Sequence, residues 1–280
     1  MFKIVRRRDL NPTVIMMDIE APLVANKAKA GQFIILRVDE EGERIPLTVA
    51  GTNKKEGTVE IIFQVVGAST LLLAHKQVGD YLHDFVGPLG EPSEVEGFNK
   101  VCVIGGGAGC AIALPVARAL HENGAKVTSI VGFRNKDLVI LEDEFKEVSD
   151  EYILMSDDGS AGTKGLVTNA LEELLKKGEK FDRVICIGPL IMMKFVCLLT
   201  KKYNVKTVVS MNPIMIDGTG MCGCCRLTVG GKVKFACVDG PDFDGHEVDF
   251  DEAINRNKMY RDFERKKYEE TCNLFKKEVK

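Results

Sequence analysis

The residues with the most chemistry in this chain stand close together towards its C-terminal end: Asp217-Gly218-Thr219-Gly220-Met221-Cys222-Gly223-Cys224-Cys225, with Cys237 following across an expected hairpin. Counted as ligand positions, Asp217 is followed after four residues by Cys222, after two more by Cys225 and after eleven more by Cys237. That is the spacing of thiolates around a plant-type two-iron cluster, with a carboxylate in the first place. The short intervals let one loop wrap a compact 2Fe-2S cluster, and Gly218, Gly220 and Gly223 supply the positive φ angles that such wrapping needs. Cys224 is expected to point away as a spare thiol. The chemistry implied is electron transfer. Zinc is the alternative, since Cys222 and Cys225 have the interval of a zinc knuckle and Cys237 offers a third sulfur. A zinc site normally adds a second close pair of ligands, whereas His246 stands nine residues past Cys237 with no partner beside it. Disulfides are disfavoured, because nine cysteines in a chain lacking a secretory segment point to a reducing, cytoplasmic setting.

A second constellation is Gly105-Gly106-Gly107-Ala108-Gly109, set between the apolar run Val101-Cys102-Val103-Ile104 and an apolar helical pattern reaching His121. Such a loop lets backbone approach a pyrophosphate while the following helix offers its unpaired amides to the anion. Its spacing is not the full G-x-G-x-x-G fingerprint, because Cys110-Ala111-Ile112 puts no glycine in the last place. A tight strand-to-helix turn without ligand is the alternative. An acidic side chain nearby suits a free ribose hydroxyl and an arginine suits a 2'-phosphate. Asp157 and Asp158, with Glu142, point to NAD(H); Arg134 points the other way. Each acid taken alone is an ordinary solvated residue, and the choice made is NAD(H).

These loops need elements to hold them. Residues 1–95 carry short alternating runs, as in Val14 to Ile19, Gln32 to Val38 and Thr58 to Val66, which predict an antiparallel barrel. Ser69 is placed to cap a brief helix, and Gly87-Pro88-Leu89-Gly90 marks the boundary. Residues 96–210 alternate strand-like and helical stretches, predicting a Rossmann-like parallel α/β domain with helices on both faces. Residues 211–280 hold the cysteine loop, a hairpin about Gly230-Gly231 and a charged terminal helix. So small a segment calls for a staple, which a metal cluster provides. The expected fold is therefore multidomain β plus α/β. At 280 residues, 45% hydrophobic and 28% charged, the composition is that of a globular protein. A formal net charge of -3 gives no reason to expect nucleic acid. No apolar run approaches the ~20 residues that span a bilayer, so no membrane association is expected. The Lys/Arg and Glu alternation from Asn255 onward is expected to be a solvated face. Cys102, Cys110, Cys186, Cys197 and Cys272 are assigned to cores, and His75, His83 and His121 to isolated positions.

Arg44-Ile45-Pro46-Leu47-Thr48 resembles the Arg-x-Tyr/Pro-x-Ser/Thr signature of the ferredoxin-NADP reductase superfamily. The resemblance implies a barrel that holds FAD and a second domain that holds a nicotinamide nucleotide. It implies Thr48 beside the reactive flavin nitrogen, Arg44 on the phosphates and the Gly67 to Thr70 turn, with Ser69, on the pyrophosphate. Pro46, Leu47, Val65 and Val66 complete the implied flavin set, and Gly105, Gly106, Gly107, Gly109, Gly188 and Pro189 the nucleotide set. The superfamily's Cys-Gly-Pro turn reads here Cys186-Ile187-Gly188-Pro189, so no side-chain catalyst is assigned. Barrel, nucleotide domain and cysteine loop in this order resemble a narrower group. It contains the electron-transfer subunit of dihydroorotate dehydrogenase and the small subunit of NADH-dependent reduced ferredoxin:NADP oxidoreductase. Asp217 in the first ligand place favours the second. That resemblance implies electron flow between NAD(H), FAD and a 2Fe-2S cluster, and a larger flavoprotein partner with iron-sulfur clusters. Ferredoxin and NADP(H) would act through that partner, by electron bifurcation. The remaining alternatives are the dihydroorotate dehydrogenase subunit and, from another class, a zinc-stapled nucleotide-binding module.

Overall fold

The computed structural model describes residues 1–278. The chain begins with β1 (Phe2–Asn11), β2 (Val14–Glu20), α1 (Pro22–Ala25), β3 (Phe33–Arg37), β4 (Arg44–Asn53), β5 (Thr58–Gln64), α2 (Ala68–His75), β6 (Tyr81–Leu82) and β7 (Asp84–Leu89). The seven strands are antiparallel, in the order β6-β1-β2-β5-β4-β3-β7, and curl into a nearly closed barrel. In β2 the residues Val14 to Met17 are all buried, although only one face of a strand can look into a barrel. Ile15, Met17 and Ile19 fill the interior, whereas Val14 and Met16 face outward onto a helix of the next sheet. Burial on both faces explains why the run lacks strict alternation.

The second sheet is built from β8 (Lys100–Gly106), α3 (Gly109–Glu122), β9 (Lys126–Phe133), α4 (Glu142–Glu147), β10 (Glu151–Ser156), β11 (Thr163–Lys164), α5 (Val167–Lys176), β12 (Arg183–Ile187), α6 (Leu190–Lys202) and β13 (Thr207–Ser210). There follow β14 (Arg226–Val229), β15 (Lys232–Phe235), β16 (Asp242–Asp244), α7 (Phe250–Arg256) and α8 (Arg261–Glu278). The sheet order is β11-β10-β9-β8-β12-β13-β16, parallel except for β16, which joins the edge antiparallel to β13. Between β8 and β12 the chain changes its direction of travel across the sheet. A crevice opens at the carboxyl ends of strands at such a point, where ligands bind in doubly wound folds.

Two cores fasten the parts together. One joins Val14, Met16, Ala50 and Ile62 of the barrel to Ala111 and Leu114 of α3. The other joins Phe33 and Ile35 of β3 to Met215, Cys225, Leu227, Ala236 and Cys237 around the cysteine loop, and to Ile104 of β8 and Met193 of α6. Among the described residues no helix is long and apolar enough to cross a membrane.

Three local expectations need correction. Ser69 does not cap α2: the cap position is Gly67, and Ser69, two residues further in, donates instead to Glu43 Oε2 at 2.8 Å. Thr70 Oγ1, at the third helical position, reaches back to accept from the amides of Val66 and Gly67, both at 3.0 Å, and leaves the first-turn amides of α2 without a side-chain cap. His83 is not isolated, because its Nδ1 lies 3.0 Å from both Asp84 Oδ1 and Arg37 Nη2. The charged tail is not solvated throughout, since Thr271 is buried and α8 packs on α2.

Candidate functional site

On the barrel, Arg44 to Thr48 form the first half of β4. Thr48 lies opposite Phe33, Leu47 opposite Ile34 and Pro46 opposite Ile35, so this half is fully paired to β3. Pairing to β5 begins only at Val49. The other edge of residues 44–48 therefore has no strand partner, which is why a proline is tolerated there and why backbone groups remain open to a cofactor. Val65 and Val66 follow β5, and Val66 is exposed. They lead to Gly67 and α2, whose first-turn amides have no acceptor within the helix. The start of α2 already attracts an anion, the Glu43 carboxylate held by Ser69. Gly67 is extended, with nothing within 4 Å of where a Cβ would stand, so the backbone at the cap itself is open.

In the parallel sheet the glycines divide by role. A Cβ on Gly109 would lie 2.6 Å from the Ile187 carbonyl oxygen and 2.7 Å from Gly188 Cα. One on Gly106 would meet Met192 Sδ at 2.4 Å, and one on Gly105 Cys110 Sγ at 2.8 Å. Gly106 and Gly109, with Gly188, let the loops after β8 and β12 close on each other, and Gly105 makes room for the first turn of α3. Gly107 differs: its φ is +55° and nothing stands within 4 Å, so it presents bare backbone to the crevice. Pro189 is exposed at the cap of α6. Asp157 and Asp158 follow β10 on the same carboxyl edge and are both exposed. Asp158 Oδ1 accepts from Ser160 Oγ at 2.6 Å and Ser160 N at 2.9 Å, and these bonds hold its carboxyl below the usual range. The Asp157 carboxylate has no described hydrogen bond or ion pair. Glu142 is occupied by Lys146 at 2.8 Å, within α4.

The cysteine loop turns through Gly218, Gly220 and Gly223, with φ of +82°, +81° and +69°. Cys225 and Cys237 are buried with their sulfurs 3.2 Å apart. Burial pushes the Cys237 thiol up to about 12. Cys222 is exposed and hydrogen-bonded to Cys224, so Cys224 does not point away as expected: the left-handed turn at Gly223 folds it back. Asp217 Oδ2 accepts from Thr219 N at 2.9 Å, Thr219 Oγ1 at 2.6 Å and Met221 N at 3.2 Å. These bonds, that of the Thr219 hydroxyl first, lower its carboxyl, and the Arg44 guanidinium adds to them. All three donors fall on Oδ2, which leaves Oδ1 as the oxygen without one. Among the described residues no three of His, Cys, Asp and Glu converge on one metal-sized point. The loop thus brings the sulfurs together in two pairs and leaves the Asp217 carboxylate on its own backbone. As a donor set, one ionised carboxylate and three thiols on a glycine-hinged loop fits a two-iron cluster. The zinc alternative loses its fourth ligand, because His246 Nε2 is engaged by the buried Thr200 at 3.0 Å.

What brings the loop to the barrel is Gly218, where a Cβ would stand 2.8 Å from both Ile35 Cδ1 and Leu89 Cδ1. Ile35 and Pro46 are register partners and so share a face of the sheet. The cysteine loop therefore rests one strand away from the Arg44 to Thr48 segment. Spacing in the sequence could not reveal this contact, nor the packing role of Gly106 and Gly109, since both depend on residues more than 75 positions distant.

An antiparallel barrel joined to a doubly wound sheet, with a thiol loop on a third segment, defines a ferredoxin-reductase-like fold carrying an iron-sulfur module. Residues 212–249 match the iron-sulfur cluster binding domain of dihydroorotate dehydrogenase B. A Thermotoga maritima homolog of the electron transfer subunit of dihydroorotate dehydrogenase B (NAD(+)) is 49% identical over 267 residues, covering 95% of this chain and 94% of its own. The electron transfer subunit of that enzyme from Streptococcus pneumoniae is 33% identical over 249 residues, covering 86% and 94%. A chain in the structure of the NADH-dependent reduced ferredoxin-NADP oxidoreductase, which concerns flavin-based electron bifurcation, superposes with a TM-score of 0.92 at 47% identity, covering 97% and 98%. The Amycolatopsis cytochrome P450 reductase GcoB shares the fold alone, at a TM-score of 0.58 and 21% identity over 72% of this chain and 65% of that one. The chain belongs to the family of dihydroorotate dehydrogenase B electron-transfer subunits and their homologues.

Proposed function

We propose that this chain is an NAD(H)-dependent electron-transfer subunit that binds FAD on the barrel, NAD(H) at the carboxyl edge of the parallel sheet and a 2Fe-2S cluster on the cysteine loop. The observation that carries the reading is the seat of Gly218 on Ile35, which sets the cysteine loop one strand from the Arg44 to Thr48 segment. When bound, the flavin supplies the exchange between a two-electron nicotinamide donor and one-electron carriers. The protein's part is positional. Residues 44–48 present an open strand edge, Arg44 supplies positive charge, and Gly67, Ser69 and Thr70 present the start of α2 to a diphosphate. Gly107 offers bare backbone to the nicotinamide nucleotide, Gly188 and Pro189 shape the crevice beside it, and Asp157 is the free acid for a ribose hydroxyl. Asp217, Cys222, Cys225 and Cys237 are the proposed ligands of the cluster, and residues 1–95, 96–210 and 211–280 the three functional segments.

Electrons leave towards a larger subunit, a reading supported by the match to electron transfer subunits. We take this partner to be a larger flavoprotein with iron-sulfur clusters, acting on ferredoxin and NADP(H) in the cytoplasm, and the likeness to the chain from the NADH-dependent reduced ferredoxin-NADP oxidoreductase supports electron bifurcation as the reaction. Anaerobically purified protein is expected to show flavin and iron-sulfur absorption bands that bleach on adding NADH. Colourless protein containing one zinc would overturn the proposal. The second reading, the electron-transfer subunit of dihydroorotate dehydrogenase B, is favoured by the match at residues 212–249. The two differ at Asp217. Asp217→Cys should lower the cluster's midpoint potential, because a thiolate donates more electron density than a carboxylate, and should alter its visible spectrum. An unchanged spectrum would remove Asp217 from the ligand set and with it the reason to prefer the first reading.

A further inference from the structure

Helix α2 is held from two directions. At its C-terminal end the Arg7 guanidinium, reaching from β1, donates to the carbonyls of Ala74 at 2.6 Å and Lys76 at 2.7 Å. Along its flank lies α8. The first seven residues of α8, Arg261 to Lys267, are all exposed, Phe263 among them. Then the pattern changes: Tyr268 is half-buried, Thr271 is buried at 5% exposure and Cys272 is half-buried. Residues spaced by three and four share one face of a helix, so these three form a seat. The Thr271 hydroxyl donates to the Lys267 carbonyl at 2.9 Å, so burying it leaves no polar group unmet. In a protein most of a helix's stability comes from packing one face rather than from intrinsic propensity, so this seat anchors α8. At its other end the α7–α8 segment is tied to the cysteine hairpin, because Glu252 accepts from Thr228 N at 3.0 Å and Arg256 donates to the Cys224 carbonyl at 3.3 Å.

We propose that α8 is a positioning strap for the flavin: by seating Tyr268, Thr271 and Cys272 on α2 it fixes the helix start at Gly67 to Thr70 and so sets how tightly the cofactor's diphosphate is held. The strap rests on the reading of α2 as the diphosphate site. It gives the charged terminal helix a role that neither its composition nor its exposed first half suggests. Thr271 acts through α2 and touches no cofactor.

The test uses the full chain with its cluster assembled, titrated with FAD and followed by flavin fluorescence. Thr271→Arg drives a charged side chain into the seat and is expected to weaken FAD binding about tenfold or more, equivalent to ~1.4 kcal/mol. The cluster's visible spectrum should stay as in the parent protein. Thr271→Ser keeps the hydroxyl, loses only a methyl and adds no charge, so it should retain parental affinity, and Phe263→Ala, on the exposed half, should leave it untouched. Tyr268→Ala trims the seat without adding charge, and about threefold weaker binding is expected should the arginine variant fail to fold. Parental FAD affinity in both Thr271→Arg and Tyr268→Ala overturns the strap and leaves the α2 reading standing. Loss of cluster and flavin together in both variants also overturns it, α8 then serving the whole fold. A parent protein that binds no FAD removes the reading of α2 itself, and the strap with it.

Discussion

Gly107 and Gly109 stand two residues apart in one loop, yet glycine is demanded at each for a different reason. At Gly109 an added methyl would press on backbone, 2.6 Å from the Ile187 oxygen, and backbone cannot swing aside as a side chain can. Gly109→Ala is therefore expected to destabilise the fold by about 1–3 kcal/mol, read as a lower urea midpoint. At Gly107 there is room, and the cost of holding alanine at a φ of +55° is about 1 kcal/mol. Gly107→Ala should fold, but its methyl enters the face open to the crevice, and NADH titration should show weakened binding. Equal NADH affinity in Gly107→Ala and the parent would mean that the nucleotide does not cross this loop. The glycine run could be recognised from sequence because the residue type is itself the signal. Which glycine is packed against neighbours and which is left open could not, because the deciding neighbours, Ile187, Gly188 and Met192, come from the segment after another strand. The same holds for Cys224, whose direction depends on the turn at Gly223.

At the scale of elements, the strands that cover a core on at least one face could be read from their apolar runs, as β2, β3, β5, β8 and β12 show. Those fixed by polar contacts were hidden. β1 carries Arg6-Arg7-Arg8, a run that suggests solvent, but each arginine has a partner. Arg6 Nε lies 2.8 Å from Asp18, Arg7 holds the end of α2, and Arg8 lies 3.0 Å from Glu144 of α4. Arg7 matters most, because its side chain is only 17% exposed and the α2 carbonyls it meets have no intrahelical donor. A positive charge at a helix C-terminus also complements the macrodipole. Arg7→Ala leaves both carbonyls partly buried and unmet, and a loss of about 1–3 kcal/mol is expected in chemical denaturation. Arg7→Lys should recover only part of it, since an ammonium lacks the planar fork of donors. If Arg7→Ala unfolds at the parental midpoint, α2 is held by its packing alone and the guanidinium contributes nothing net.

For the molecule as a whole, changes in texture along the chain suggest three parts, but nothing in that texture shows how the parts share their interiors. Neither the core that threads Val14, Met16, Ala50 and Ile62 into α3 nor the one that seats Cys225 and Cys237 on Phe33 and Ile35 has a local signature. The third segment even lends β16 to the edge of the parallel sheet. That loan places Asp242 at the junction. Its carboxylate accepts from Ser93 Oγ, in the link between barrel and sheet, at 2.6 Å, and from the Ser210 side chain at the end of β13. Its Oδ1 is buried without a hydrogen-bond partner among the described residues. Burial pushes the Asp242 carboxyl above its ordinary value of 3.8, more than the two serines and the Arg183 charge pull it back. The folded state thus holds the proton more tightly than the unfolded chain. The stability this gives is complete below about 3.8 and is lost as pH rises through the higher folded value. Asp242→Asn keeps an acceptor for Ser93 and never ionises, so it should match the parent under acid conditions and exceed it near neutrality. Urea unfolding of both proteins at several pH values between 4 and 7 measures the difference. A gap that does not widen with pH would show that the Arg183 guanidinium neutralises the junction and that the carboxylate sits there ionised at no cost.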